Sequence, residues 1–158
     1  MVDRIDGEPA TAPPGPTGAP APLSAVPDRR VYAWRFPLTN ASVPAVRHAL
    51  RPFVARAGLP DDEAEDLVLA TCEAAANVVD HARQSTQAYF DVTFESAGDD
   101  VVIMVRDHGR WQGGSTPFGA QGRGLSMMMS LAAVTLTSGP EGTTVTLRTL
   151  RSLRSLRS

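Results

Sequence analysis

The sequence predicts an α+β fold in two layers, with helices on one face of a mostly antiparallel mixed sheet. Three observations carry this. Element signals run in the order β-α-α-β-β-loop-α-β-β. The later strand-like runs pair off across short turns, "AGDD" and "GPEG". The longest helical segment keeps Leu67, Val68, Ala75, Val78, Val79 and Ala82 on one side, which suits a helix packed on a sheet.

Residues 1–28 are rich in Pro, Gly and Ala and lack apolar periodicity, which predicts a disordered extension. From Arg30, "RVYAWRFPL" reads as a strand with Tyr32, Trp34 and Phe36 on one side and Val31, Ala33 and Arg35 on the other. A first helix follows, with Asn40 or Ser42 as cap, Pro44 in the first turn and Gly58-Leu59-Pro60 as stop. Pro52 is expected to kink or shorten it. A second helix starts near Pro60, where Asp61, Asp62 and Glu63 suit the positive end of the dipole, and runs to about Arg83.

Two strands come next, "AYFDVTFES" and "DVVIMVRDHG". From His108 to Arg123 there is no periodicity, and a long loop inside a domain is usually functional. The helix "GLSMMMSLAAV" and the strands "VTLTS" and "TTVTLRTL" complete one domain over residues 29–150. The tail at 151–158 continues a three-residue Arg repeat, whose Arg row would wind around a helix instead of forming a stripe. It reads as a frayed basic tail.

Composition narrows the function classes. The chain has 158 residues, 42% hydrophobic, enough for one domain with a core. No apolar run is long enough to span a bilayer and no apolar signal segment opens the chain, so a cytoplasmic protein without a membrane partner is expected. A net charge of −2 gives no general reason to bind nucleic acid. All fifteen basic residues are Arg, which excludes a Walker A loop and any lysine Schiff base. Cys72 is the one cysteine, so neither an internal disulfide nor a cysteine-built zinc site can form, and its Ala and Thr neighbours suggest a small buried thiol.

The polar residues of the second helix are the first sign of chemistry. Glu73, Asn77 and His81 recur at one helical period inside "ATCEAAANVVDHA", extended upstream by Asp66 and Ala70. An Asn between "AAA" and "VV" looks like a polar group kept inside something. Its amide can bind Mg²⁺ directly or through water, and a Glu one turn earlier can take a proton from a hydroxyl or water. Downstream, Asp107 ends a strand beside His108 and Gly109, where a carboxylate can accept from an exocyclic amine while the backbone approaches a flat ring. "GAQGRGL" then places Gly119, Gly122 and Gly124 before a helix, whose N-terminal N–H groups suit phosphates.

In this order, "EAAAN", "DHG", "GRGL" and "EGTTVTL" resemble the Bergerat-type ATP-binding fold of histidine kinases and gyrase-like proteins. More narrowly, the chain is similar to the small bacterial anti-sigma-factor serine kinases of partner switching, over roughly residues 30–150. The resemblance implies ATP and Mg²⁺ as ligands. Glu73 would be the base assisting phosphoryl transfer, and Asn77 would hold the metal against the phosphates. Asp107 would bond the adenine amine, with Gly109 letting the base approach. Gly122, Arg123, Gly124 and Leu125 would form the phosphate cradle at the helix start, Thr143 or Thr144 would lie beneath the adenine pocket, and His81 would shape the site. A sigma factor and a small antagonist protein are the implied partners, with a homodimer as the implied assembly.

Three features depart from the pattern. Trp111 stands where D-x-G-x-G has its second Gly, Asp80 occupies a place where relatives carry a base, and the lid between Gly109 and Gly122 is short. They support a rival reading, a docking module that binds a sigma factor or antagonist without phosphotransfer. The stretch "RHALRPF" is similar to a histidine-kinase phosphoacceptor box, but Ala49 replaces its acid, so His48 reads as an ordinary helix residue.

Overall fold

Alternation decides the sheet. In β1 (Arg30–Pro37) Tyr32, Trp34 and Phe36 are buried at 3%, 2% and 0% exposure, and all three face the helices. The computed structural model describes residues 29–81, 85–98, 100–109 and 123–150. After β1 come α1 (Ser42–Arg56), α2 (Asp61–Asp80), β2 (Tyr89–Ala97), β3 (Asp100–Arg106), α3 (Arg123–Leu131), β4 (Ala133–Gly139) and β5 (Gly142–Arg148). This is the predicted order of elements. The predicted extension, the tail, Trp111, Gly119 and Gly122 lie outside the described residues.

The five strands lie in the order β1-β2-β3-β5-β4, and all four pairings are antiparallel. The expected mixed sheet is therefore corrected to an antiparallel one among the described residues. The chain does return to the same direction after α3, but β5 inserts between β3 and β4, so that parallel relation is never a hydrogen-bonded pair. Phe90, Val92 and Phe94 of β2, Ile103 and Val105 of β3 and Val145 and Leu147 of β5 complete the apolar face. Leu50, Leu67, Val68 and Met128 close it from the helical layer. No described helix is long and apolar enough to cross a membrane.

The first helix departs from its predicted cap. Neither Asn40 nor Ser42 caps it: the N-cap is Ala41, without a side-chain bond. Ser42 is buried inside the helix and its hydroxyl donates to the Pro37 carbonyl, tying the helix start to the end of β1. Pro52 does not shorten α1, which continues to Arg56. Buried Val46, Leu50 and Val54 hold the helix down, and the carbonyl that Pro52 leaves unpaired belongs to exposed His48, within reach of water. α2 ends at Asp80, short of the predicted Arg83, with His81 as its C-cap.

α1 and α2 are also joined at the surface, where Arg51 Nη2 and Glu65 Oε1 lie 2.9 Å apart with side chains 54% and 60% exposed. Such a pair is solvated and screened. Glu65→Ala is therefore expected to change unfolding free energy by less than about 0.5 kcal/mol in a urea titration, whereas a loss above about 2 kcal/mol would mark an interaction the exposed geometry does not contain.

Candidate functional site

α2 is the central helix, packed on α1, α3, β3 and β5, and Ala is what lets it come close. Ala70, Ala74 and Ala75 are each fully buried, while Glu73 and Asn77 stay half-buried one turn apart. The second residue of α3 meets them there. A Cβ on Gly124 would lie 2.7 Å from Asn77 Nδ2 and 2.9 Å from Glu73 Oε1, so a larger residue at this crossing would have to push those two side-chain ends aside. Asn77 Nδ2 is buried without a hydrogen-bond partner among the described residues. A buried amide left unpaired costs stability, and its persistence beside a glycine-opened space marks a place for a polar ligand.

The upstream end of the predicted polar row does not reach this place, because Ala70 faces the core. His81 is half-exposed and closes α2, its backbone N–H donating to the Asn77 carbonyl at 3.1 Å. Leu125 packs on the core at the start of α3, and Arg123 opens that helix. Asp80 is exposed. Cys72 is buried as predicted; burial pushes its thiol pKa up from the ordinary value against the opposing pull of Arg47, which keeps it a neutral thiol.

The second half of the site grows from the end of β3. Asp107 is 3% exposed, and its backbone N–H donates to the Thr143 carbonyl at 3.0 Å. Its Oδ1 accepts from Thr143 N at 2.8 Å and from Gly109 N at 3.2 Å, while Oδ2 is buried and unpartnered among the described residues. The carboxylate is thus held by one oxygen and offers the other. Thr143, itself 1% exposed, shares a 3.1 Å hydroxyl contact with Ser138. Of the two predicted threonines only Thr143 belongs here. Thr144 pairs with Arg106 across the strands and alternates to the opposite face of the sheet.

Gly142 is the residue that sequence reasoning missed. Its sequence context marks only a turn, yet its backbone has φ +138° and a Cβ there would sit 2.1 Å from the Asp107 carbonyl oxygen. The signal was its place in "EGTT", directly before Thr143. Chemically, the site offers a fixed carboxylate oxygen, an open amide, a second carboxylate and a helix start. Among the described residues no three His, Cys, Asp or Glu side chains group to hold a metal, so a cation here needs oxygens from a ligand as well as Asn77.

No curated protein sequence matches the chain significantly. Among solved structures, the RsbU and RsbW domains of Rv1364c from Mycobacterium tuberculosis are similar, with 28% identity and a TM-score of 0.59. The match covers 74% of this chain and 32% of that one, so the chain spans about a third of that neighbour. The histidine kinase domain of the Erythrobacter litoralis EL346 blue-light activated histidine kinase is 21% identical with a TM-score of 0.49, over 78% of this chain and 70% of that one. The family model of the histidine kinase-like ATPase domain matches residues 36–149, from the last two residues of β1 to just past the end of β5, and so takes in both halves of the site. With the α+β architecture and a matched span that includes Glu73, Asn77, Asp107 and Gly124, the chain belongs to the histidine kinase-like ATPase domain family.

Proposed function

We propose that this protein binds ATP with Mg²⁺ and transfers phosphate to a serine or threonine of a small antagonist protein, releasing or retaining a sigma factor by partner switching. The observation that carries the nucleotide reading is that two of the three buried side-chain atoms without partners among the described residues, Asp107 Oδ2 and Asn77 Nδ2, lie one at each end of the site. They match the two ends of a nucleotide. Asp107 Oδ2 accepts from the adenine amine, Gly109 lets the base approach, and Thr143 lies beside it. Asn77 Nδ2 would donate to a phosphate oxygen, and its Oδ1 is the atom that would hold the metal. Arg123, Gly124 and Leu125 at the start of α3 receive the phosphates, as does Gly122, the residue before them in sequence, since the first N–H groups of a helix have no intrahelical partner.

Mg²⁺, when bound, neutralises charge on the phosphates. Glu73 orients the acceptor hydroxyl and takes its proton, and His81 shapes the end of α2. Positioning then supplies most of the rate. The partner-switching form rests on the likeness to the RsbU and RsbW domains of Rv1364c. The proposed setting is cytoplasmic, with a sigma factor, an antagonist and a second copy of the chain as partners, and with neither nucleic acid nor membrane.

The test is calorimetric titration of ATP, with and without Mg²⁺, into the wild-type protein and Asn77→Ala. Wild-type binding should depend on Mg²⁺, and the variant should bind about tenfold more weakly with Mg²⁺ while folding normally, since it loses a buried group that had no partner. A folded wild-type protein with no binding at roughly millimolar ATP would leave the docking-module reading in its place.

A further inference from the structure

A second polar cluster lies behind Asp107, on the face of the sheet away from the helices. Phe90, Val92 and Phe94 point into the core, so Tyr89 and Asp91 alternate outward. There Asp91 Oδ1 accepts from Arg35 Nε at 3.0 Å, and Asp91 Oδ2 lies 2.9 Å from His108 Nε2. The Arg35 guanidinium sits 3.8 Å from the centre of the Tyr89 ring, and the His108 ring meets Tyr89 edge-on at 5.0 Å. The side chains of His108 and Asp91 are only 17% and 12% exposed.

His108 is the middle residue of Asp107-His108-Gly109, so it joins the two faces. Asp107 turns toward Thr143, while His108 turns toward Asp91. The His108 carbonyl accepts from both the backbone N–H and the hydroxyl of Thr86, and Ser85 forms a bridge with Gly109. The backbone is thus tied to residues 85 and 86, but among the described residues only the imidazole anchors this stretch to the side chains of β1 and β2. We infer that His108, clamped by Asp91 and Arg35, is a positioning residue for base recognition: it holds the Asp107 carboxylate at the angle that selects adenine over guanine. This rests on the nucleotide reading above, and it assigns a role to residues that never touch the nucleotide.

The physical argument concerns freedom of rotation. Asp107 Oδ2 is useful as an acceptor only while Oδ1 keeps its bonds to Thr143 and Gly109. The Gly109 bond depends directly on the path of the chain through residue 108, whereas the Thr143 bond is also held by the backbone bond from Asp107 N–H to the Thr143 carbonyl. Without the imidazole anchor the segment can shift, and the base would meet a less directional acceptor. Contacts to phosphate at α2 and α3 do not involve that segment, so they would persist for either purine.

Two measurements test this together: calorimetric titration of ADP and GDP with Mg²⁺, and amide hydrogen exchange at Gly109 and Thr143 in the free protein. His108→Ala should weaken ADP about tenfold, leave GDP unchanged, and speed exchange of the Gly109 amide about tenfold, with the Thr143 amide as the internal reference. His108→Gln, whose amide nitrogen can reach Asp91 as Nε2 does, should restore both readouts. His108→Phe fills the same volume against Tyr89 without a donor and should behave as Ala does, which covers a poorly folding Ala variant. Unchanged exchange of the Gly109 amide, or equal loss of ADP and GDP, overturns the inference. If the wild-type protein binds neither nucleotide, the nucleotide reading falls and takes this inference with it; if it binds ADP and the variants keep its ADP-to-GDP ratio, this inference alone falls.

Discussion

Gly142→Ala is expected to remove nucleotide binding and to lower unfolding free energy by about 3 kcal/mol, combining backbone strain with a steric clash. The two costs have one location. At φ +138° an L side chain is strained, and the new Cβ would fall 2.1 Å from the Asp107 carbonyl oxygen. That oxygen belongs to backbone, so no rotamer change relieves the contact. Either the end of β3 or the start of β5 must move. Both bonds that orient Asp107, its N–H to the Thr143 carbonyl and the Thr143 N–H to its Oδ1, lie one residue from the clash. Gly98→Ala is the matched comparison, because Gly98 also has a positive φ, +58°, but a Cβ there meets nothing within 4 Å. Its expected cost is about 1 kcal/mol, from the backbone alone. Urea unfolding of both variants separates strain from contact. Equal losses for the two would mean that the approach of Gly142 to Asp107 carries no weight.

What could be read from the sequence was whatever depends on residues close together in the chain. The alternation of Tyr32, Trp34 and Phe36 and the period of Glu73 and Asn77 are local patterns, and both reappear as the core face of β1 and one side of α2. Gly124 was legible as a glycine at a helix start, but its reason is a crossing with α2 that no local pattern encodes. Thr143 and Thr144 stayed equivalent until the pairing of Arg106 with Thr144 fixed which one turns toward Asp107. Gly142 against Asp107, and Arg35 against Asp91 against His108, are contacts between strands far apart in sequence. The cap of α1 failed for a related reason: Ser42 satisfies a β1 carbonyl in place of its own helix, a tertiary demand that outweighs the local preference. The turn between Gly139 and Gly142 fixes β4 against β5, but that β5 and not β4 then pairs with β3 is a choice of partner made by packing, and it is what makes the sheet antiparallel throughout the described residues.

Asp107→Asn is expected to cost ATP affinity on the order of a hundredfold, near 3 kcal/mol, while leaving the fold intact. The hydrogen bonds decide which way the new amide faces. Two backbone donors, Thr143 N and Gly109 N, meet Oδ1, so the carbonyl of an asparagine must take that place. Its NH₂ then occupies the position of Oδ2, which has no partner among the described residues. The protein loses a buried charge and keeps both structural bonds, so thermal stability should hold or rise slightly. The ligand sees the reverse. An amine that had met an acceptor now meets a donor, and neither group can be satisfied in a buried pocket. GTP presents a carbonyl where ATP presents its amine, so its affinity should change little or improve. The ratio of ATP to GTP affinity, measured by calorimetry in wild-type and variant, therefore reports the chemistry of one oxygen. A ratio that stays constant would place the base away from Asp107, whatever happens at Asn77 and Glu73.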